Sequence, residues 1–269
     1  MTSADIRGAY DLSADTWTGG PGRLYASLAE ALLAAAPVDV HGARVLDVGA
    51  GTGVASRAAL AAGAANVVGL DISAPMLGAG RGAFAPVQAD AAALPFRAAA
   101  FDLVVAACCL GHLPEPEQAL RETHRVGTAI VASAFTADWT HPAKTATDEA
   151  LARVGFRAPD WYVTFKRTTE RQVADPAVLG SLARAAGYST VAVRIVDVVT
   201  GIDTPAEMVA WRLGMAHVAP FLRTLPPDQQ AQLRQAAANA LLGAPPLVVP
   251  LVILAACAVC VVRRGTVPA

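Results

Sequence analysis

Through the first half of the chain, short apolar runs alternate with longer stretches whose apolar residues recur at helical spacing. The runs 44–48, 66–71, 85–89, 101–107 and 127–134 read as strands, and 53–62, 75–82 and 115–125 between them read as helices. Runs this rich in valine, apolar at nearly every position, suit strands covered on both faces. The alternation therefore predicts a parallel sheet with helices on both sides. Residues 1–20 read as loosely ordered, and 21–36 as a helix stopped by Pro37. Beyond residue 135 the regularity fades. The pattern predicts a short helix within 137–170, a helix over 175–186 with Gly187 as its C′ residue, and a strand over 190–199. Helices over 204–217 and 226–242 follow, the second started by Pro226-Pro227-Asp228, and an apolar strand over 247–256 makes seven strands in all.

The first strand runs into Asp47 and then into three glycines at alternate positions, Gly49, Gly51 and Gly53. Such a turn lets a ligand approach the backbone, and the helix after it offers free N–H groups to the ligand's polar end. It is a nucleotide-type element. Its spacing is not that of a dinucleotide site, because Val54 stands where the third glycine of G-x-G-x-x-G belongs, and no G-K-[ST] marks a P-loop. Asp47 would repel a pyrophosphate and attract an ammonium or a sulfonium. S-adenosylmethionine carries both cations. Asp71, at the end of the second strand, stands where an acidic residue meets a ribose, and its two oxygens suit two adjacent hydroxyls.

An acidic residue followed by G-x-G-x-G resembles the first motif of the class I S-adenosylmethionine-dependent methyltransferases. Asp90 followed by Leu94-Pro95-Phe96, then Phe101-Asp102-Leu103-Val104, and Leu110-Gly111-His112-Leu113-Pro114 are similar to later motifs of the same family. The resemblance is closest to the ubiquinone/menaquinone-biosynthesis-like branch (methyltransferase type 11), which includes bacterial natural-product tailoring enzymes. It implies a Rossmann-like α/β fold, a seven-stranded mostly parallel sheet with the last strand antiparallel, and a helical lid. It implies a cofactor site made by Tyr10, Asp47, Gly49, Ala50, Gly51, Gly53, Asp71, Ile72, Met76, Asp90, Ala91 and Ala107, with Asp90 at the adenine amino group and Tyr10 folding over the sulfonium. Asp102 is expected to be structural. The implied organisation is an N-terminal helical segment over 1–40 covering the cofactor, a core over 41–136, and lid helices plus the last strands over 137–269. One departure is plain: the family's Leu-x-Pro-Gly-Gly turn before the fifth strand is missing, and Arg125-Val126 runs straight into Gly127.

Methyl transfer from a sulfonium needs alignment and exclusion of water. A phenol or alcohol acceptor also needs a base. Of five histidines, His112 and His141 follow the fourth and fifth strands, at the ligand end of the sheet, and are the candidate catalytic residues. His41 and His124 read as solvent-facing, and His217 lies on the lid. Trp139, Trp161, Tyr162, Phe165 and Trp211 suggest an apolar, aromatic acceptor. No metal motif is seen, so no metal is expected.

Composition narrows the setting. The chain has 269 residues, is 54% hydrophobic and 16% charged, and carries a net charge of −1, which excludes disorder and a nucleic-acid footprint. Only two of its 21 basic residues are lysine, which with the abundant alanine suggests a GC-rich bacterial source. The cysteines, Cys108-Cys109 and Cys257-x-x-Cys260, read as small buried hydrophobes in a reducing cytosol. No signal peptide is visible, so a cytoplasmic protein is expected. The apolar run Leu247–Val262 is short of the ~20 residues a spanning helix needs and contains Pro250, so it reads as a buried strand rather than an anchor. The expected partner is a small-molecule methyl acceptor. The alternatives are an NAD-dependent oxidoreductase on the same sheet, a protein of this fold that binds the cofactor without methylating, and a membrane-attached lipid methyltransferase.

Overall fold

A computed structural model describes residues 2–82 and 84–258. Its strands are β1 (Arg44–Val48), β2 (Asn66–Asp71), β3 (Ala85–Gln88), β4 (Leu103–Ala106), β5 (Ala129–Phe135), β6 (Thr190–Val199) and β7 (Val248–Cys257). They form one sheet in the order β3-β2-β1-β4-β5-β7-β6. The pairs β1–β2, β1–β4, β2–β3 and β4–β5 are parallel, and β7 runs antiparallel between β5 and β6. This is the seven-stranded, mostly parallel architecture expected from the sequence.

The pleat explains why the strands read as unbroken apolar runs. Val45, Leu103, Val105, Val131 and Ile253 enter one buried cluster, while Leu46, Val48, Val104, Ile130 and Leu254 enter the cluster on the opposite face. Each central strand must be apolar on both sides. The C-terminal run is such a strand: Leu251 through Leu254 are buried and paired on both edges. Cys260 and the rest of the apolar run lie outside the described residues. Among the described residues no helix is long and apolar enough to cross a membrane.

The helices are α1 (Ser3–Asp11), α2 (Ala14–Trp17), α3 (Gly20–Leu33), α4 (Val54–Ala61), α5 (Ala74–Ala79), α6 (Pro116–Val126), α7 (Pro142–Arg153), α8 (Asp160–Arg167), α9 (Thr169–Ala174), α10 (Pro176–Ala185), α11 (Pro205–Leu213), α12 (Ala219–Leu222) and α13 (Pro227–Asn239). Two regions differ from the sequence expectation. Residues 3–17 hold two helices where a loose segment was expected: Thr2 and Asp5 form a capping box, and Ile6, Ala9, Ala14 and Trp17 are buried. The stretch 137–170 holds two helices and the start of a third where one was expected. The missing turn before the fifth strand is absorbed simply. Helix α6 ends at Val126, Gly127 bridges to Phe101, and β5 pairs with β4 from Ile130 onward.

Candidate active site

The strand order reverses between β1 and β4, and a crevice opens there beyond the carboxyl ends of the parallel strands. It encloses about 1000 Å³, part of it open to solvent. The glycine-rich turn makes its floor. The Gly49 and Ala50 N–H groups donate to the Leu70 carbonyl at 2.8 and 3.0 Å, folding the turn across β2. Gly49 has φ +72°, and a Cβ there would stand 2.5 Å from Cys109 Sγ, so only glycine fits. Gly53 has φ +79° and starts α4, but a Cβ on it would meet the Phe84 ring. Gly53 supports the turn and does not line the crevice. It alone of the predicted cofactor residues lies off the wall; Tyr10, Asp47, Gly49, Ala50, Gly51, Asp71, Ile72, Met76, Asp90, Ala91 and Ala107 all line it.

Three carboxylates face this space from three strand ends. Asp47 is 1% exposed; its Oδ2 accepts from Ser56 Oγ at 2.7 Å, and its Oδ1 is buried with no partner. Burial pushes its carboxyl up to about 6, against the opposing pull of the Ser56 hydrogen bonds. A buried carboxylate with an open oxygen is the complement of a cation, and the residues present fit the amino-acid end of S-adenosylmethionine. Asp71 is held by backbone donors, Gly51 N–H at 2.7 Å on Oδ2 and Ser73 N–H at 2.9 Å on Oδ1. Its burial raises its carboxyl and those donors lower it. Asp90 Oδ1 accepts from the Ala92 N–H at 2.9 Å. Asp102 forms a bidentate pair with Arg44 at 2.8 and 3.0 Å, away from the crevice.

The roof comes from α1 and α2, with Tyr10 and Trp17 at 5.4 Å between centroids, and Tyr25 of α3 packs behind Trp17 with its ring tilted. Cys108 and Cys109 form the β4 side of the wall. Burial pushes the Cys108 thiol up to about 12 and raises Cys109 further, so both are neutral and apolar at ordinary pH. Cys108 is one of two non-glycine residues with positive φ, +52°, among the described residues, and its N–H donates to Ser133 Oγ at 3.1 Å. Trp17, Tyr25 and the cysteines are lining residues that sequence reasoning missed. The Cys-Cys pair after the fourth strand was a signal for the cysteines, and no local pattern marked Trp17 or Tyr25.

A second cavity of about 600 Å³ shares Tyr10, Tyr25 and His112 with the first. His112 stands at the junction. Its ring stacks on Phe165 at 4.4 Å, its Nε2 shares a 3.1 Å hydrogen bond with Tyr10 Oη, and its Nδ1 is buried without a partner. Burial, with help from Lys166, pushes its imidazole down to about 4. The predicted aromatics Trp139, Trp161, Tyr162, Phe165 and Trp211 all line the second cavity. So does His217, which stacks on Tyr162 at 3.7 Å and is held neutral by burial and by Arg212. His141 is not brought to either cavity. It is the N-cap of α7, its Nδ1 accepting from the Ala143 N–H at 3.1 Å ahead of Pro142. The predicted pair of histidines is therefore split: His112 lies on the wall and His141 caps a helix.

Residues 46–129 match the family model described as a methyltransferase domain. A demethylmenaquinone methyltransferase of Parafrankia sp. is 32% identical over 68% of this chain and 82% of its own length. One from Renibacterium salmoninarum is 36% identical over 55% of this chain, which spans 63% of that relative's length. Among solved structures, a methyltransferase chain in complex with the Trm112 methyltransferase activator of Haloferax volcanii aligns over 94% of this chain and 97% of its own, at 20% identity and a TM-score of 0.56, a likeness of fold.

Proposed function

This chain belongs to the class I S-adenosylmethionine-dependent methyltransferases, in the branch of the ubiquinone/menaquinone methyltransferases, and from that premise we propose that it methylates a small aromatic acceptor, as bacterial small-molecule tailoring enzymes do. The observation that carries this reading is the joining of two cavities of unlike chemistry. One is lined by three carboxylates and a glycine turn, the other by aromatic rings, and they share Tyr10, Tyr25 and His112.

The bound donor supplies an activated methyl on a sulfonium. Asp47 holds the ammonium through its open oxygen and becomes fully ionised as it does so. Asp71, fixed by Gly51 and Ser73, presents its remaining lone pairs to the ribose hydroxyls. Asp90 holds the adenine amino group with the oxygen that Ala92 leaves free. Residues 1–40 act as the cover, with Tyr10 and Trp17 closing the donor end against water. His112 is the proton acceptor at the junction. With Nε2–H donating to Tyr10 Oη, its Nδ1 lone pair is left for the acceptor. A base held near 4 does not strip a phenol in advance. It collects the proton as methylation makes that proton strongly acidic.

The nicotinamide alternative loses its ground with the family assignment and with Asp47, which opposes a pyrophosphate. The test is incubation of the protein and the methyl donor with a panel of phenols, indoles and aromatic amines. S-adenosylhomocysteine release and a mass gain of one methylene unit on an acceptor are the expected result. Donor binding with no product on any member of the panel contradicts it.

A further inference from the structure

The second cavity gathers residues that are scarce in this chain. Lys144 and Lys166 are the only lysines in the sequence, and both line it, together with three of the four tryptophans. Arg212 joins them from α11 with its side chain 6% exposed. Its Nη2 donates to Asp148 Oδ1 at 2.6 Å, Tyr162 stands beside it, and its Nε is buried with no partner. A buried guanidinium with an open donor is costly unless something accepts from it.

The charges do not balance inside the cavity. Lys166 is paired with Glu170, and Arg212 with Asp148, whose side chain is 54% exposed. Among the described residues Lys144 has no carboxylate of its own. Its Nζ donates to the Trp139 carbonyl at 2.6 Å and lies 4.9 Å from the Trp139 ring centroid. Burial, then the repulsion of Lys166 and Arg212, pushes its ammonium down to about 8. The cavity is thus lined by one uncompensated ammonium and by a guanidinium with one unfilled N–H, beside the stacked rings of Phe135 and Trp139 and the tilted ring of Trp211. Neutral quinol recognition would leave the Lys144 ammonium without a counter-charge and the Arg212 Nε–H without an acceptor.

We propose that the acceptor is an aromatic carboxylate, its ring held by the Trp139 and Trp211 wall and its carboxylate by Lys144 and Arg212. The inference rests on the methyltransferase reading above and names the substrate class for that same site. The carboxylate is the anchor, so the methylated atom lies elsewhere on the molecule, toward His112 and Tyr10. A carboxylate makes charge-assisted hydrogen bonds that an ester of the same shape cannot.

The test is calorimetric titration of wild type, Lys144→Met and Lys144→Arg, each first saturated with S-adenosylhomocysteine. The probes are salicylate, 4-hydroxybenzoate and indole-3-acetate, each beside its methyl ester. At least one acid is expected to bind wild type about tenfold or more tightly than its ester, as one charge-assisted contact would give. Lys144→Met erases that preference, and Lys144→Arg retains it. Arg212→Met provides a second reading of the same loss. An ester that binds as well as its acid overturns the proposal, as does an acid affinity indifferent to Lys144→Met. So does the failure of every acid to bind at millimolar concentration. Loss of S-adenosylhomocysteine binding in wild type would instead sink the methyltransferase reading, which the saturation step reports separately.

Discussion

Tyr10 Oη and His112 Nε2 lie 3.1 Å apart although 102 residues separate them, and this contact joins the N-terminal cover to the loop after β4. Both rings face both cavities. The hydrogen bond ties the orientation of the His112 ring to helix α1.

Tyr10→Phe keeps the ring and removes the hydroxyl. The expected result is a kcat lowered about tenfold, the worth of one buried hydrogen bond, with little change in KM for the methyl donor. His112→Asn is expected to lower kcat further. A KM effect without a kcat effect would show that the contact serves only closure.

Asp47 gives the site a pH dependence. Its folded carboxyl sits near 6, above its unfolded range, so the folded chain holds this proton more tightly. Its ionisation therefore disfavours the folded state above about pH 6, by at most about 3 kcal/mol, and that cost fades as pH falls toward 4. A bound ammonium needs the ionised form. Affinity for S-adenosylhomocysteine is expected to weaken as pH drops through about 6, with Asp71, also raised by burial, adding in the same direction. Asp47→Asn should melt higher than wild type without ligand at pH 7.5, with the gap closing toward pH 5. Equal melting temperatures at both pH values would show that Asp47 is compensated in the fold.

Gly49→Ala places a methyl group 2.5 Å from Cys109 Sγ at a backbone φ of +72°. The strain expected is about 1–3 kcal/mol. Thermal unfolding is expected to shift down by several degrees, with loss of cofactor affinity from the displaced turn. An unshifted Tm would mean the turn relaxes freely.

The sheet was legible because each central strand is buried on both faces, so Leu103 through Ala106 and Ile130 through Ala132 read as unbroken apolar runs. Much of the wall of the first cavity was legible because many of its residues follow the strand ends in sequence. The cover was not: α1 buries only Ile6 and Ala9, too few to show a periodicity, and its start rests on the Thr2–Asp5 box. Helices α8 and α9 were hidden by their brevity and their mix of aromatic and charged residues. His141 and His112 looked alike as residues following strands. The Pro142 next to His141 was the sign that it opens a helix, and Nδ1 is spent on that cap. That the two lysines meet at one cavity depends on tertiary packing of α7 and α8, which no local pattern encodes.

The central claim is tested most directly by calorimetric titration of S-adenosylhomocysteine, beside NADH, into wild type and Asp71→Ala, with unfolding curves to confirm that the variant is folded. The account predicts micromolar binding of S-adenosylhomocysteine to wild type, loss of that binding in Asp71→Ala because Gly51 and the ribose lose their shared carboxylate, and no binding of NADH. Absence of S-adenosylhomocysteine binding to the intact chain, or affinity unchanged by Asp71→Ala, would contradict it.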